Sequence, residues 1–334
     1  VGLILDHWSV GPIGYVIIAL GVLYEVGHVR RQRATHDRSA PEFRDRRIRA
    51  VAFLSGLAAL FVAFESPIDY WSDWLFWVHM IQHLLILVVA SPLIVVGAPW
   101  LLLLRGLPAR VGPYDGWPGR AGGWSVRPRR TVGRLAARVA AFGPLRALGR
   151  AVNRPVVAWL LAVVDVWVWH MPGPYDATLR SLPIHYAEHA SFLLFGILFW
   201  LQVYDSYPLR SKLSPVGRLT FLAAWAAQNW ILSMALAFAS GPWYAGYADL
   251  AHRPEAISAL QDQTIGAGIM WIPGMLPVAL AVVLTAYRWL HPKQPVDLDT
   301  ELAQLVADEE RRRHSGRSLL GKVRLSPGRK QQWN

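Results

Sequence analysis

Apolar residues gather into seven long blocks along the chain, at about 12–27, 50–64, 74–104, 155–171, 184–204, 217–240 and 263–290. A helix needs roughly 20 apolar residues to cross a hydrocarbon core of about 30 Å, and these blocks reach or approach that length. The block at 50–64 is the shortest. The block at 74–104 is long and contains Pro92 and Pro99. It is expected to be one spanning helix that kinks or breaks near Pro92, because proline lacks the N–H and clashes with the preceding turn. The pattern therefore predicts an all-α fold, a polytopic membrane protein with seven transmembrane helices.

Charge placement orients these spans. Of the 34 Lys and Arg, all but Arg180 and Arg253 fall in or beside residues 28–49, 105–154, 205–218 and 288–334. Such asymmetry marks cytoplasmic segments, which puts the N-terminus outside and the C-terminus in the cytoplasm, as an odd number of spans requires. Composition agrees with a membrane: 54% of residues are hydrophobic, 17% are charged, and there are 17 Trp, a residue that collects at the lipid–water interface. The net charge of +12 then belongs to a cytoplasmic face lying against anionic lipid, and no nucleic-acid partner is needed to explain it. Residues 1–11 lack a basic leader segment, so the first block reads as a retained span.

The expected organisation is a seven-helix membrane domain at 1–290 with a basic cytoplasmic loop at 105–154, followed by a cytoplasmic tail at 291–334. Within the loop, the Gly-, Pro- and Arg-rich 106–131 segment reads as flexible. Residues 132–152 read as either a basic amphipathic helix on the inner leaflet or a solvated linker. In the tail, 297–313 has acidic residues first and Arg last, the signature of a short helix, with disorder expected beyond it.

The candidate chemistry lies in histidine. There is no cysteine, which excludes disulfides, thiolate metal sites and cysteine nucleophiles. Five of the 11 His fall within predicted spans: His79, His83, His170, His185 and His189. The predicted topology puts all five in the outer layer, within about 15 Å of the outer surface. His79/His83 and His185/His189 are each spaced i, i+4, so each pair shares one helix face. Polar side chains inside a membrane face the bundle interior. Five imidazoles at one depth thus point to a metal or haem site, with copper, zinc, iron and nickel all suited to imidazole. Glu188 shares the face of the second pair, and Asp262 opens the seventh span from the same side. Glu65, Asp69 and Asp73 lie in the outer loop after the second span. Met80, Met171 and Met270 are nearby in sequence or depth, and thioethers would favour reduced copper. Met80 and Met171 adjoin histidines, but neighbours on a helix point about 100° apart, which favours packing for both.

Other functions meet resistance from the residues. A retinal protein needs a lysine in the seventh span, and Lys212, Lys293, Lys322 and Lys330 are all in cytoplasmic segments. A two-haem carrier would need histidine pairs at two depths. His185-x-x-Glu188-His189 has the spacing of one class of zinc peptidases, but three further histidines would crowd the open position that a catalytic zinc keeps.

Four ordered stretches carry a family resemblance: "HMIQHLLILVVASPLIVVGAPWLLLLRGLP" (79–108), "WVWHMPGPYDATL" (167–179), "HYAEHASFLLFGILFW" (185–200) and "LQDQTIGAGIMWIPG" (260–274). Over roughly residues 10–290 the chain resembles the CtaG-type, seven-helix cytochrome c oxidase assembly factors. The loop at 106–131 looks longer than that family's, and the tail at 291–334 departs from it. The resemblance implies a multi-pass protein of the bacterial plasma membrane that serves maturation of a haem–copper oxidase, with oxidase subunits as partners. It also implies a role in copper supply rather than catalysis. His79, His83, His170, His185, His189 and Asp262 fall on the family's polar motif positions. The expected first shell is His79, His83, His185 and His189 completed by His170. Glu188, Asp262, Met80 and Met270 are accessory. Copper is the expected ion, with zinc or haem iron as alternatives. A metal-free scaffold for a nascent oxidase subunit is the competing reading.

Overall fold

The computed structural model describes residues 7–34, 40–107, 111–113, 124–126, 151, 154–250 and 257–291. The apolar blocks form helices. α1 is Pro12–Ala34, α2 Ala40–Glu65 and α3 the short Pro67–Ser72. α4, Phe76–Leu84, continues through a π-helical turn at Leu85–Ala90 into α5, Ser91–Gly97, and α6 follows at Trp100–Gly106. Then come α7 (Pro155–Trp169), α8 (Pro172–Arg180), α9 (Leu182–Val203), α10 (Pro215–Ala237) and the single turn α11 (Ala245–Ala248). α12 (Ala259–Trp271) leads through a 3-10 turn at Pro273–Met275 into α13 (Leu276–Leu290). A small antiparallel ribbon pairs β1 (Val111–Pro113) with β2 (Trp124–Val126), Val111 opposite Val126.

Among the described residues, six stretches are long and apolar enough to cross a membrane: Pro12–Arg31, Asp45–Glu65, Phe76–Gly97, Leu182–Val203, Pro215–Ala237 and Ala259–Leu290. A seventh exists if α7 and α8, bent by 71° at their junction, count as one broken span. The bend has a local cause. Met171 precedes Pro172 and takes the extended conformation (φ −72°, ψ 143°) that proline imposes on its predecessor. The Lys/Arg pattern remains the argument for which end of the bundle faces the cytoplasm.

The third block departs from expectation. Its helix passes through Pro92 and stops at Gly97, and the chain breaks at Ala98, which is left-handed (φ 46°, ψ 56°), just before Pro99. Pro92 is absorbed because the preceding turn widens. The Ser91 N–H reaches back five residues to the Ile86 carbonyl, and Ser91 Oγ donates to the same oxygen at 2.8 Å. The Leu87 carbonyl would then look to position 92, where proline has no N–H. Trp200 Nε1 of α9 donates to it instead, at 2.8 Å. This wide turn fits against α9 at Gly196, where an added Cβ would lie 2.7 Å from Ser91 Oγ.

In the bundle, α4 packs on α12, α9 lies against α5, the π turn and α7, and α2 covers α5 and the π turn. α10 packs on α12. α1 crosses α6 at Gly27 and Gly106, where a Cβ on either glycine would strike the other helix's backbone. The chain separates into two units, Val1–Ala286 and Tyr287–Asn334. In the second, Tyr287–His291 is described, with the two aromatic rings stacked 4.6 Å apart. Ala151 apart, the amphipathic helix expected at 132–152 lies outside the described residues, as does the tail helix at 297–313.

Candidate metal centre

α4 and α9 present four of the five histidines, and α4 is fixed by a polar group from another helix. Leu75 precedes α4 and has no side chain to cap it. Asp262 of α12 takes over, accepting from the Phe76 N–H at 3.0 Å and the Trp77 N–H at 2.9 Å. A carboxylate at the positive end of a helix both satisfies free N–H groups and complements the helix dipole. Beside it, Gln263 donates to the Leu236 carbonyl near the end of α10 and accepts from the Trp243 N–H. α12 itself starts with a capping box between Ser258 and Gln261. The Asp262-Gln263 pair therefore ties α12 to α4 and α10, and Asp262 positions the histidine helix from its end.

The i, i+4 spacings deliver their histidines to one place. His79, His83 and His189, together with Glu188, bring one ligand atom each within 4.8 Å of one another. Their relative exposures are 0%, 5%, 1% and 0%, so the group is sealed from bulk solvent. Glu188 is at its centre. Its Oε1 lies 3.4 Å from His83 Nε2, while its Oε2 lies 3.5 Å from His79 Nε2 and 3.9 Å from His189 Nε2. Ligand atoms about 2.1 Å from a shared ion stand about 3.4 Å apart in a tetrahedron, so these separations suit joint ligation.

Nearly every donor atom in the group lacks a hydrogen-bond partner. This holds for Nε2 of His79, His83, His170, His185 and His189, and for both oxygens of Glu188. Buried polar atoms are otherwise almost always paired, so a concentration of unpaired ones calls for a partner such as water or an ion. The residues thus fit a metal: three imidazoles and a carboxylate with lone pairs directed inward.

His170 and His185 flank the four. His170, which caps α7, has its Nδ1 2.7 Å from the Val166 carbonyl and its ring 5.8 Å from that of His83. The His185 ring is 5.0 Å from His79 and 4.3 Å from His189. Glu188, expected as an accessory, stands among the histidines. The methionines are elsewhere. Met80 is buried facing α12, within reach of a Cβ at Gly266, and Met270 is a core residue whose carbonyl accepts from Asn229. Met171 is exposed.

Two of the three carboxylates after the second span are committed elsewhere. Glu65 accepts from the Gly11 N–H at 2.6 Å, and Asp69 accepts from Gln82 Nε2 at 2.7 Å. Asp73 caps the C-terminal end of α3 through its backbone.

Sequence reasoning missed the aromatic support. Tyr175 Oη lies 2.9 Å from His79 Nδ1, and Tyr247 Oη lies 3.2 Å from the same atom. Tyr247 gives its proton to the Ser72 carbonyl, so its oxygen is left to accept. The two hydroxyls thus hold the Nδ1 edge of His79, and its Nε2 faces Glu188. Asp176 holds the Tyr247 turn by accepting from the Gly246 N–H at 3.0 Å and the Ala245 N–H at 3.3 Å. Tyr175 lies in "GPYDATL", one turn beyond His170, but no spacing rule links it to His79.

A zinc peptidase reading asks Glu188 to be a base beside an open ion position. Here Glu188 contacts three histidines in a buried cluster. A set of membrane-length helices with a buried histidine–carboxylate group defines a multi-pass membrane protein with a group that could hold a metal. The chain belongs to the Cytochrome c oxidase caa3 assembly factor (Caa3_CtaG) family, which it matches over residues 22–291. It is similar to an uncharacterized protein of Mycobacterium bovis, 27% identical over 248 residues that make up 74% of this chain and 35% of that protein. An uncharacterized protein of Mycobacterium leprae is 26% identical over 300 residues, 89% of this chain and 42% of the relative. The chain thus spans less than half the length of these relatives. No solved structure matches it.

Proposed function

We propose that the protein assists assembly of a haem–copper cytochrome c oxidase by holding copper, its cargo, for transfer to an oxidase subunit. His79, His83, Glu188 and His189 bind the ion, with His170 and His185 at hand on either side. The observation that carries this reading is the set of buried imidazole and carboxylate atoms left without hydrogen-bond partners around one point. The methionines lie away from that point, so copper is supported by imidazole chemistry and the family's oxidase connection rather than by thioethers. Zinc and haem iron are the competing occupants. No catalytic step is assigned. The setting is a bacterial plasma membrane, with the histidine end outward and the Lys/Arg-rich segments against anionic lipid on the cytoplasmic side. An imidazole-rich site releases copper more readily than a thiolate cage would, which suits transfer.

The test is elemental analysis of protein purified from copper-replete membranes, wild type beside a His79→Ala/His83→Ala variant. Stoichiometric copper in the first and background copper in the second is expected. Equal, negligible copper in both would overturn the proposal and favour a metal-free scaffold, as would capture of oxidase subunits that survives loss of all five histidines. Zinc or iron in place of copper would retain the site and replace the cargo.

A further inference from the structure

α4 and α9 begin side by side and run together past the histidine group. Ring to ring, His79 lies 5.0 Å from His185, while His83 lies 5.3 Å from His189 and 4.7 Å from Phe192. The two helix faces differ in how they lead to that group. On α4 the approach is closed. Phe76, one turn before His79, is buried among the rings of Tyr175, Tyr244 and Tyr247 at 5.0–6.1 Å. Tyr175 and Tyr247 also cover Nδ1 of His79.

On α9 the approach is graded. Leu182, His185, His189 and Phe192 share one face, being three or four residues apart. Exposure falls along it from 59% at Leu182 to 6% at His185 and 1% at His189 and Phe192. Phe192, packed on the His83 ring, closes the far side. His185 is thus the step between the surface and the sealed group. Its Nε2 has no hydrogen-bond partner, and it is not among the four residues whose ligand atoms lie within 4.8 Å of one another. Its ring is 4.3 Å from that of His189, so it adjoins the group without belonging to it. His170, the other flanking histidine, is on the closed side. Its Nδ1 is 2.7 Å from the Val166 carbonyl and its ring is 6.4 Å from Phe192.

Resting on the copper reading above, we propose that His185 is the exchange ligand through which the ion enters and leaves the centre. An arriving copper ion gains His185 Nε2 as it sheds a ligand from outside, then gains His79 and His189 as it leaves His185. Release runs the same steps backward, with no change of oxidation state. The physical need is plain. An ion stripped of its ligands before entering a buried site meets a large desolvation cost, and a nitrogen partway along keeps it coordinated throughout.

The experiment mixes the purified full chain, in detergent, with a chromophoric Cu(I) chelator and follows copper transfer in both directions by absorbance. His185→Ala is expected to slow loading and release alike, each about tenfold, with their ratio little changed. Free imidazole, which can enter the space left by the missing ring, is expected to restore much of the lost rate. Unchanged rates would overturn the exchange role, and so would slowed rates that imidazole does not restore. A second measurement needs no substitution. X-ray absorption fine structure of the copper-loaded wild type should count the imidazoles of His79, His83 and His189 and no fourth. A fourth imidazole would make a flanking histidine a resident ligand and overturn the proposal even if the variant misfolds. Absence of copper from the wild type would overturn the copper reading itself.

Discussion

The span Phe76–Gly97 treats buried polar atoms in opposite ways at its two ends. Around Pro92 each displaced group finds a partner: Ser91 reaches the Ile86 carbonyl, Trp200 reaches the Leu87 carbonyl, and Ser206 Oγ donates to the Val95 carbonyl at 2.6 Å. Ser206 accepts in turn from Trp100 Nε1 at 2.8 Å. Around His79 and His83 the donors face one another at 3.4–3.9 Å across Glu188 without hydrogen bonds. The same helix, in the same bundle, supplies both. Packing that can repair a proline-damaged helix has left these histidine and carboxylate atoms unpaired, which supports the proposed metal.

This contrast can be broken in four ways. The largest effect belongs to His83→Ala, which should reduce bound copper to near background while the protein still melts cooperatively, as read by elemental analysis beside a thermal scan. A variant that keeps its copper would erase the distinction between the two ends. Next comes Tyr175→Phe, which removes the hydroxyl against His79 Nδ1. Loss of such outer support typically weakens metal affinity about 10–100-fold, measurable by competition with a copper chelator. A copper affinity equal to wild type would show that the tyrosine only packs.

Trp200→Phe should do the reverse. It strands the Leu87 carbonyl, costing about 1–3 kcal/mol of stability, visible as a lower melting temperature with the copper count unchanged. Lost copper without lost stability would show that the two regions are coupled. The smallest effect concerns Asp69, which lies in α3 outside the spans. Burial pushes its carboxyl up to about 6 from 3.8. A raised pKa means the folded state holds the proton more tightly, so this group's stabilisation is complete below 3.8 and is lost as pH rises through about 6. Melting curves of Asp69→Asn should lack that component of the pH dependence. An unaltered profile would show that Asp69 does not titrate with folding.

Much of the architecture is legible from local chemistry. Apolar length finds the spans, Pro172 marks the broken junction after His170, and the i, i+4 histidines mark two polar faces. The fate of Pro92 is not legible. Whether a proline breaks a span depends on whether another helix can satisfy the carbonyl it strands, and Trp200 lies 113 residues away in sequence from Leu87. Asp262 is similar: depth and acidity mark it as an accessory to the histidines, but only the fold shows that its oxygens accept from the N–H groups that begin α4. The methionines behave as the offset of about 100° between helix neighbours suggests. Adjacency to a histidine in sequence says nothing about direction, and Met80 turns toward Gly266.

The sequence by itself determined that this chain is helical and membrane-spanning, that it carries histidine pairs on single helix faces, and that no thiol chemistry is open to it. Those properties depend on length, period and composition, which act locally. Tertiary structure decided that Glu188 stands among the histidines, that Tyr175 and Tyr247 set the direction of His79, and that Asp262 holds a helix end. Each of these depends on which helix faces which, and a helix's own sequence fixes its faces but not its neighbours.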